Sequence, residues 1–88
     1  MYFVYMIKNL NNNLYIGVTD KPERRLFEHN SRRGSNFTKY KNTFYIVFLE
    51  KYETLAQARK REIQIKKWRR DKKEILIQRY KMALNTKI

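Results

Sequence analysis

Two short apolar segments parted by a run of asparagines constrain this chain more than any other feature. Tyr2 to Ile7 is aromatic and β-branched, Asn9 to Asn13 is a turn-rich break, and Leu14 to Val18 is apolar again. Aromatic and β-branched side chains suit a pleated surface, and asparagine tolerates the backbone of tight turns. The spacing therefore predicts a β-hairpin. With 88 residues, the chain is bounded to one small domain whose core tolerates few polar intrusions.

Beyond the hairpin the chain reads as helix, strand, helix, helix. Asp20, Pro22 and Glu23 form a helix start with a capping-box pattern, leading into a short first helix over Arg24 to Asn30. Ser31 to Thr43 is mostly polar, contains Gly34 and reads as a surface loop, and Phe44 to Tyr52 reads as a third strand. Thr54 with Gln57 opens a second helix running to about Trp68; Asp71 with Glu74 repeats the device for a third helix towards Lys81. Met82 to Ile88 is expected to fray, so the domain is drawn over residues 1–80 with a C-terminal tail over 81–88. The order ββαβαα predicts an α+β fold, a small antiparallel or mixed sheet packed by helices.

Composition limits the chemistry. Twenty-one Lys plus Arg against eight Asp plus Glu leave a net charge of +13, while 42% hydrophobic and 15% aromatic residues are too many for a disordered basic tail. Such a field favours polyanions, nucleic acid first. No Cys means no disulfide, thiolate nucleophile or Cys-ligated metal, and a single histidine, His29, excludes paired-His metal sites. Two aspartates make an acid-rich two-metal cluster a poor fit. Met1 to Ile7 is apolar but short and is stopped by Lys8, so it resembles neither a signal peptide nor a membrane span, and a soluble intracellular chain is expected.

Four groups of residues stand out. On the second helix, Leu55, Ala58, Glu62, Ile65 and Arg69 follow helical spacing, so Glu62 interrupts an apolar stripe and needs a cation, either a neighbour such as Arg59 or Lys66 or a bound divalent metal. On the first helix, Arg25 and His29 share a face suited to gripping a phosphate, although a solvated basic face beside Arg24 has the same pattern. Tyr5 and Tyr15 recur in the hairpin, usually as packing residues, while Gly17 inside a strand hints at close approach by backbone or ligand. Finally, Lys66, Lys67, Trp68, Arg69 and Arg70 form part of the densest basic run, a backbone-binding surface with an indole for stacking or, more plainly, a helix junction around a core Trp.

Taken together these positions resemble the GIY-YIG nuclease superfamily, specifically its short stand-alone members related to the nuclease domain at the N-terminus of UvrC. The resemblance covers about Tyr2 to Gln78. It rests on Phe3-Val4-Tyr5, on Tyr15-Ile16-Gly17 ten residues after Tyr5, on Arg25 and His29 within Glu23 to His29, and on Glu62 within Ala58 to Glu62. Phe3 replaces the first motif's glycine, and Val18 sits where several relatives carry a lysine.

The resemblance implies a central three-stranded antiparallel sheet flanked by helices and phosphodiester hydrolysis with one divalent metal ion, Mg²⁺ or Mn²⁺. It implies that Glu62 binds the metal, Arg25 stabilises charge on the phosphorane, Tyr5 or Tyr15 deprotonates water, and His29 supports them by hydrogen bonding. DNA is then the expected substrate, cut by structure more than by sequence, with Gly17, Arg24, Lys39, Lys66, Lys67, Trp68, Arg69 and Arg70 as nucleic-acid contacts. A protein partner would be one source of specificity. The rivals are a basic module that binds DNA without cutting and an RNA- or ribosome-associated protein.

Overall fold

The computed structural model describes residues 1–33 and 42–88. Among them the elements run β1 (Tyr2–Lys8), β2 (Leu14–Thr19), α1 (Pro22–Arg33), β3 (Tyr45–Tyr52), α2 (Leu55–Lys66) and α3 (Arg70–Lys81). The three strands make one sheet in the order β2-β1-β3, with both neighbours antiparallel to β1. This is the expected α+β fold. No helix among the described residues is long and apolar enough to cross a membrane.

β1 is central because it is apolar on both of its sides. Val4, Tyr5, Met6 and Ile7 are buried in succession, which a strand achieves only when both sheet faces are covered. Val4 and Met6 join Phe48 against Ala58 and Ile65 of α2 and Leu76 of α3. Tyr5 and Ile7 face the other way, with Phe44, Ile46 and Leu49 beneath Leu26 of α1. Each fully buried aliphatic or aromatic side chain contributes about 1.5–3 kcal/mol, so the two clusters fix a three-layer order of α1, sheet, and α2 with α3. A register shift between Met6 and Ile7 bends the pairing with β3.

The asparagine break closes the hairpin as its composition predicts. The Asn9 backbone N–H donates to Asn13 O at 3.2 Å, Asn9 Oδ1 accepts from the Asn13 N–H at 2.9 Å, and Asn12 takes a left-handed φ of 67°. That conformation is disfavoured for most side chains and tolerated by Asn.

Caps divide into those that local sequence decides and those it does not. Thr54 and Gln57 form the expected capping box, each side chain bonded to the other's backbone N–H at 3.2 Å. Helix α1 instead begins at Pro22, which has no N–H to satisfy, and Thr19 Oγ1 accepts from Lys21 N at 3.1 Å. In α3 the N-cap is Arg69, with no side-chain cap bond, and Asp71 Oδ1 accepts from Lys72 N. The expected Asp71–Glu74 box gives way to tertiary contacts. Glu74 accepts from Lys8 Nζ at 2.8 Å and Arg70 Nε at 2.7 Å, and Arg70 Nη2 reaches Asn12 O and Oδ1, each at 2.9 Å.

The C-terminal segment docks where fraying was expected. Ala83, at φ 58°, ends α3 while the Leu84 N–H donates to Arg79 O at 2.8 Å, the closing bond of a Schellman turn. The chain then returns to a buried ion pair. Arg61 of α2 donates from Nε to Glu50 Oε1 of β3 at 2.9 Å, and from Nη2 to Glu50 Oε2 at 3.3 Å and Thr86 O at 2.8 Å. Thr86 Oγ1 donates to Glu50 Oε2 at 2.7 Å, and Tyr52 Oη donates to Oε1 at 2.7 Å. Burial pushes the Glu50 pKa upward, but hydrogen bonds from Arg61, Thr86 and Tyr52 outweigh it and leave the pKa below its ordinary value.

A depressed carboxylate pKa adds stability that is fully present above the ordinary carboxylate range and is lost as pH falls through the depressed value. Acid unfolding followed by circular dichroism is therefore expected to steepen below about pH 4.3, and Glu50→Gln to flatten that limb. At neutral pH, Arg61→Ala strands the buried carboxylate and is expected to cost about 3–5 kcal/mol in urea unfolding.

Candidate active site

The site is built from a gap in β2. Gly17 pairs with Tyr5 across the hairpin, and the Tyr5 phenol lies over it. A Cβ at position 17 would stand 2.5 Å from Tyr5 Oη and 2.7 Å from its Cζ. The close approach hinted at by a strand glycine is thus made by the neighbouring tyrosine. Tyr5 is 8% exposed, and its oxygen accepts from Arg25 Nε at 3.4 Å.

That bond, and the electrostatic attraction of Tyr5, raise the Arg25 pKa above its ordinary value despite the opposing effect of burial, with Glu28 adding to the rise. Arg25 is a permanent cation here. Because Arg25 donates, the phenolic proton of Tyr5 stays available to a second acceptor. Glu28 lies 3.8 Å from Arg25 Nη1 and 3.6 Å from Arg24 Nε. Thr19, Asp20, Lys21, Arg24, Arg25 and Glu28 line a cleft of about 260 Å³.

Tyr15 and His29 meet around Phe44, one helical turn along α1 from Arg25. Ring centroids lie 5.0 Å apart for Tyr15 and His29, 5.3 Å for Tyr15 and Phe44, and 4.6 Å for His29 and Phe44, the last two pairs edge to face. Four residues singled out in the sequence, Tyr5, Tyr15, Arg25 and His29, therefore share the α1 side of the sheet.

Glu62 sits on the other side. With Val18, Arg59 and Ile63 it lines a second cleft, of about 290 Å³, against β2, whose outer edge pairs with no other strand among the described residues. Its side chain is 18% exposed and lies 3.4 Å from Lys66 Nζ. Ala58 and Ile65 of the predicted stripe are fully buried, whereas Leu55 and Arg69 are exposed. The buried charge of α2 is Arg61, next in sequence to Glu62. Sequence reasoning passed over the Glu50–Arg61 pair, although alternation from Phe48 already pointed Glu50 inward.

The basic residues are dispersed. Lys66, Lys67 and Arg69 are exposed; Arg70 is bound to Glu74 and Asn12. Trp68 packs partly buried against the core, with Arg61 Cζ 5.2 Å and Lys72 Nζ 4.1 Å from its ring centroid. Lys39 lies outside the described residues.

No cluster of three or more metal-ligating side chains occurs among the described residues. The donor set at Glu62 still fits a hard divalent ion: one carboxylate beside an open cleft suits a cation that keeps most of its water and takes few protein oxygens. Lys66 is 53% exposed and free to swing from the carboxylate.

Residues 1–75 match the GIY-YIG catalytic domain, and the chain belongs to that family, which is one of nucleases. A UPF0213 protein of Staphylococcus aureus strain Mu50 is 38% identical over 76 residues, covering 86% of this chain and 93% of the relative, and its counterpart in strain MW2 matches equally. In fold the chain is similar to the solution NMR structure of the UPF0213 protein BH0048 from Bacillus halodurans, at a TM-score of 0.56 and 28% identity over 89% of this chain and 84% of that one.

Gly17→Ala is expected to displace the Tyr5 ring and destabilise the fold by about 1–3 kcal/mol. Replacing Tyr5 by Leu in the same chain should recover most of that loss. A double-mutant cycle in urea measures the coupling, and additive costs would show that the phenol does not fill the gap.

Proposed function

We propose that this protein is a metal-dependent endonuclease that hydrolyses phosphodiester bonds in DNA, recognising the form of its substrate more than its sequence. The observation that carries this is the Arg25–Tyr5 contact seated on Gly17, with Arg25 also lining a cleft beside Lys21 and Arg24. A guanidinium cannot deprotonate near neutral pH, so Arg25 is suited to binding the scissile phosphate and stabilising the charge that builds on its oxygens. Tyr5, within hydrogen-bond reach of that guanidinium, relays a proton: it takes one from the attacking water as it passes its own phenolic proton to a phosphate oxygen. Tyr15 and His29 orient the phosphate and water beside it.

Glu62 would hold the divalent ion, which would supply positive charge to polarise a phosphoryl oxygen and to steady the leaving oxygen. Because Glu62 faces β2 from the α2 side while Arg25 and Tyr5 face it from the α1 side, the substrate backbone runs across the open edge of β2. Lys21 and Arg24 flank it on one side, Arg59 and Lys66 on the other. Such contacts grip phosphates and carry no base identity, which favours recognition by form.

One observation favours a second reading, a nucleic-acid-binding module that does not cut: Lys66 already neutralises Glu62. End-labelled duplex, single-stranded and branched DNA, incubated with Mg²⁺, Mn²⁺ or EDTA, separates the two. Cutting should require metal, vanish in Glu62→Gln with binding by anisotropy intact or tighter, and fall about 10²–10³-fold in Arg25→Ala. Salt-sensitive binding with every substrate left whole would establish the module and end the nuclease reading.

A further inference from the structure

Asn30 was not among the residues singled out by sequence, yet its half-buried side chain bonds both backbone groups of the residue just before β3. Its Nδ2 donates to Phe44 O at 3.0 Å, and its Oδ1 accepts from the Phe44 N–H at 2.8 Å. A primary amide thereby satisfies both backbone groups of one residue, as a paired strand would. The two residues are 14 apart in sequence. The clamp lies where α1 faces the start of β3, one residue before the first β3 pairing, Tyr45 with Lys8.

The clamped residue is the hub of the ring cluster. Phe44 is 1% exposed, and its ring meets His29 at 83° and Tyr15 at 69°. Edge-to-face contacts depend steeply on ring placement, so a shift of the Phe44 backbone is transmitted to both partners. His29 is the residue immediately before Asn30, and the two side chains diverge by about 100° around the helix. One reaches the rings while the other holds the backbone that carries the central ring. Leu26 is the apolar side chain of α1 that packs into this cluster, and the amide clamp adds a directional tie from α1 to the start of β3, alongside the Arg25–Tyr5 bond to β1.

We propose that Asn30 is a positioning residue: by clamping the Phe44 backbone it sets the Phe44 ring against His29 and Tyr15, and so fixes the orientation of those two side chains. Its bearing on catalysis rests on the nuclease reading above. Its geometry does not.

The test joins NMR of the free protein to kinetics, using Asn30→Ala and Asn30→Asp, the second keeping the acceptor and losing the donor. In the intact protein, NOEs should connect the Phe44 ring to His29 Hε1 and to the Tyr15 ring. Both variants should weaken these NOEs and move the pH midpoint of the His29 imidazole, while circular dichroism stays folded. If the intact protein cuts DNA, Asn30→Ala should lower kcat about 10- to 100-fold with KM within about twofold. In a His29→Ala background the same change should add much less, because the two act through one element.

Unchanged NOEs and an unchanged His29 midpoint in the variants would overturn the proposal. So would an equal loss of kcat with and without His29, or unfolding of both variants, each of which marks Asn30 as structural only. An intact protein that cuts nothing would end the nuclease reading, and the NMR comparison would still decide the role of Asn30.

Discussion

Burial of β1 on both faces is the constraint on which the rest depends. A strand of seven residues sends alternate side chains to opposite sides, so Val4 and Met6 demand one cover and Tyr5 and Ile7 another. Neither α1 nor the α2–α3 pair satisfies both demands. The molecule is therefore a sheet between two helical layers, with β2 and β3 as edges. Because β2 is an edge strand, the sheet brings α1 and α2 to the same margin from opposite sides, and the candidate site lies at that margin.

A chain at +13 repels itself, and three of its acids, Glu50, Glu74 and Glu28, are paired with cations at structurally important places. Glu50 is enclosed with Arg61, Tyr52 and Thr86, binding β3 to α2 and to the C-terminal segment. Glu74 accepts from Lys8 and Arg70, joining β1 and the hairpin turn to α3. Its pKa is pushed up by burial and drawn lower overall by those hydrogen bonds. Glu28 braces Arg24 and Arg25. Glu50 and Glu74 thus hold elements together, while many of the cations, Lys67 and Arg69 among them, stay exposed for a polyanion.

Within the site, the smallest residue does as much as the charged ones. Gly17 leaves room for Tyr5, Tyr5 offers its oxygen to Arg25, and Arg25 turns a helix face into the wall of a cleft. The neighbouring cluster of Tyr15, His29 and Phe44 uses ring edges where this one uses a hydrogen bond. Both depend on α1 sitting at a set height above the sheet, which Leu26 secures by packing and Asn30 by direction.

Much of this was legible in the sequence, because it follows from local rules. Short runs of aromatic and β-branched residues declared the hairpin and β3, the asparagines declared the turn, and Thr54 with Gln57 declared the start of α2. The spacings of Tyr5, Tyr15, Gly17, Arg25, His29 and Glu62 declared the family. What tertiary structure alone decided were contacts between residues far apart in the chain. A capping pattern at Asp71 lost to the pull of Lys8 and Asn12 on Glu74 and Arg70; a tail with no apolar pattern was held by the buried charge of Arg61; and Asn30 gained its meaning only when Phe44 came beside it. Local propensities are worth about 1 kcal/mol, and a buried charge or an unsatisfied backbone group costs more. Where the two compete, the fold, and not the local pattern, determines the outcome.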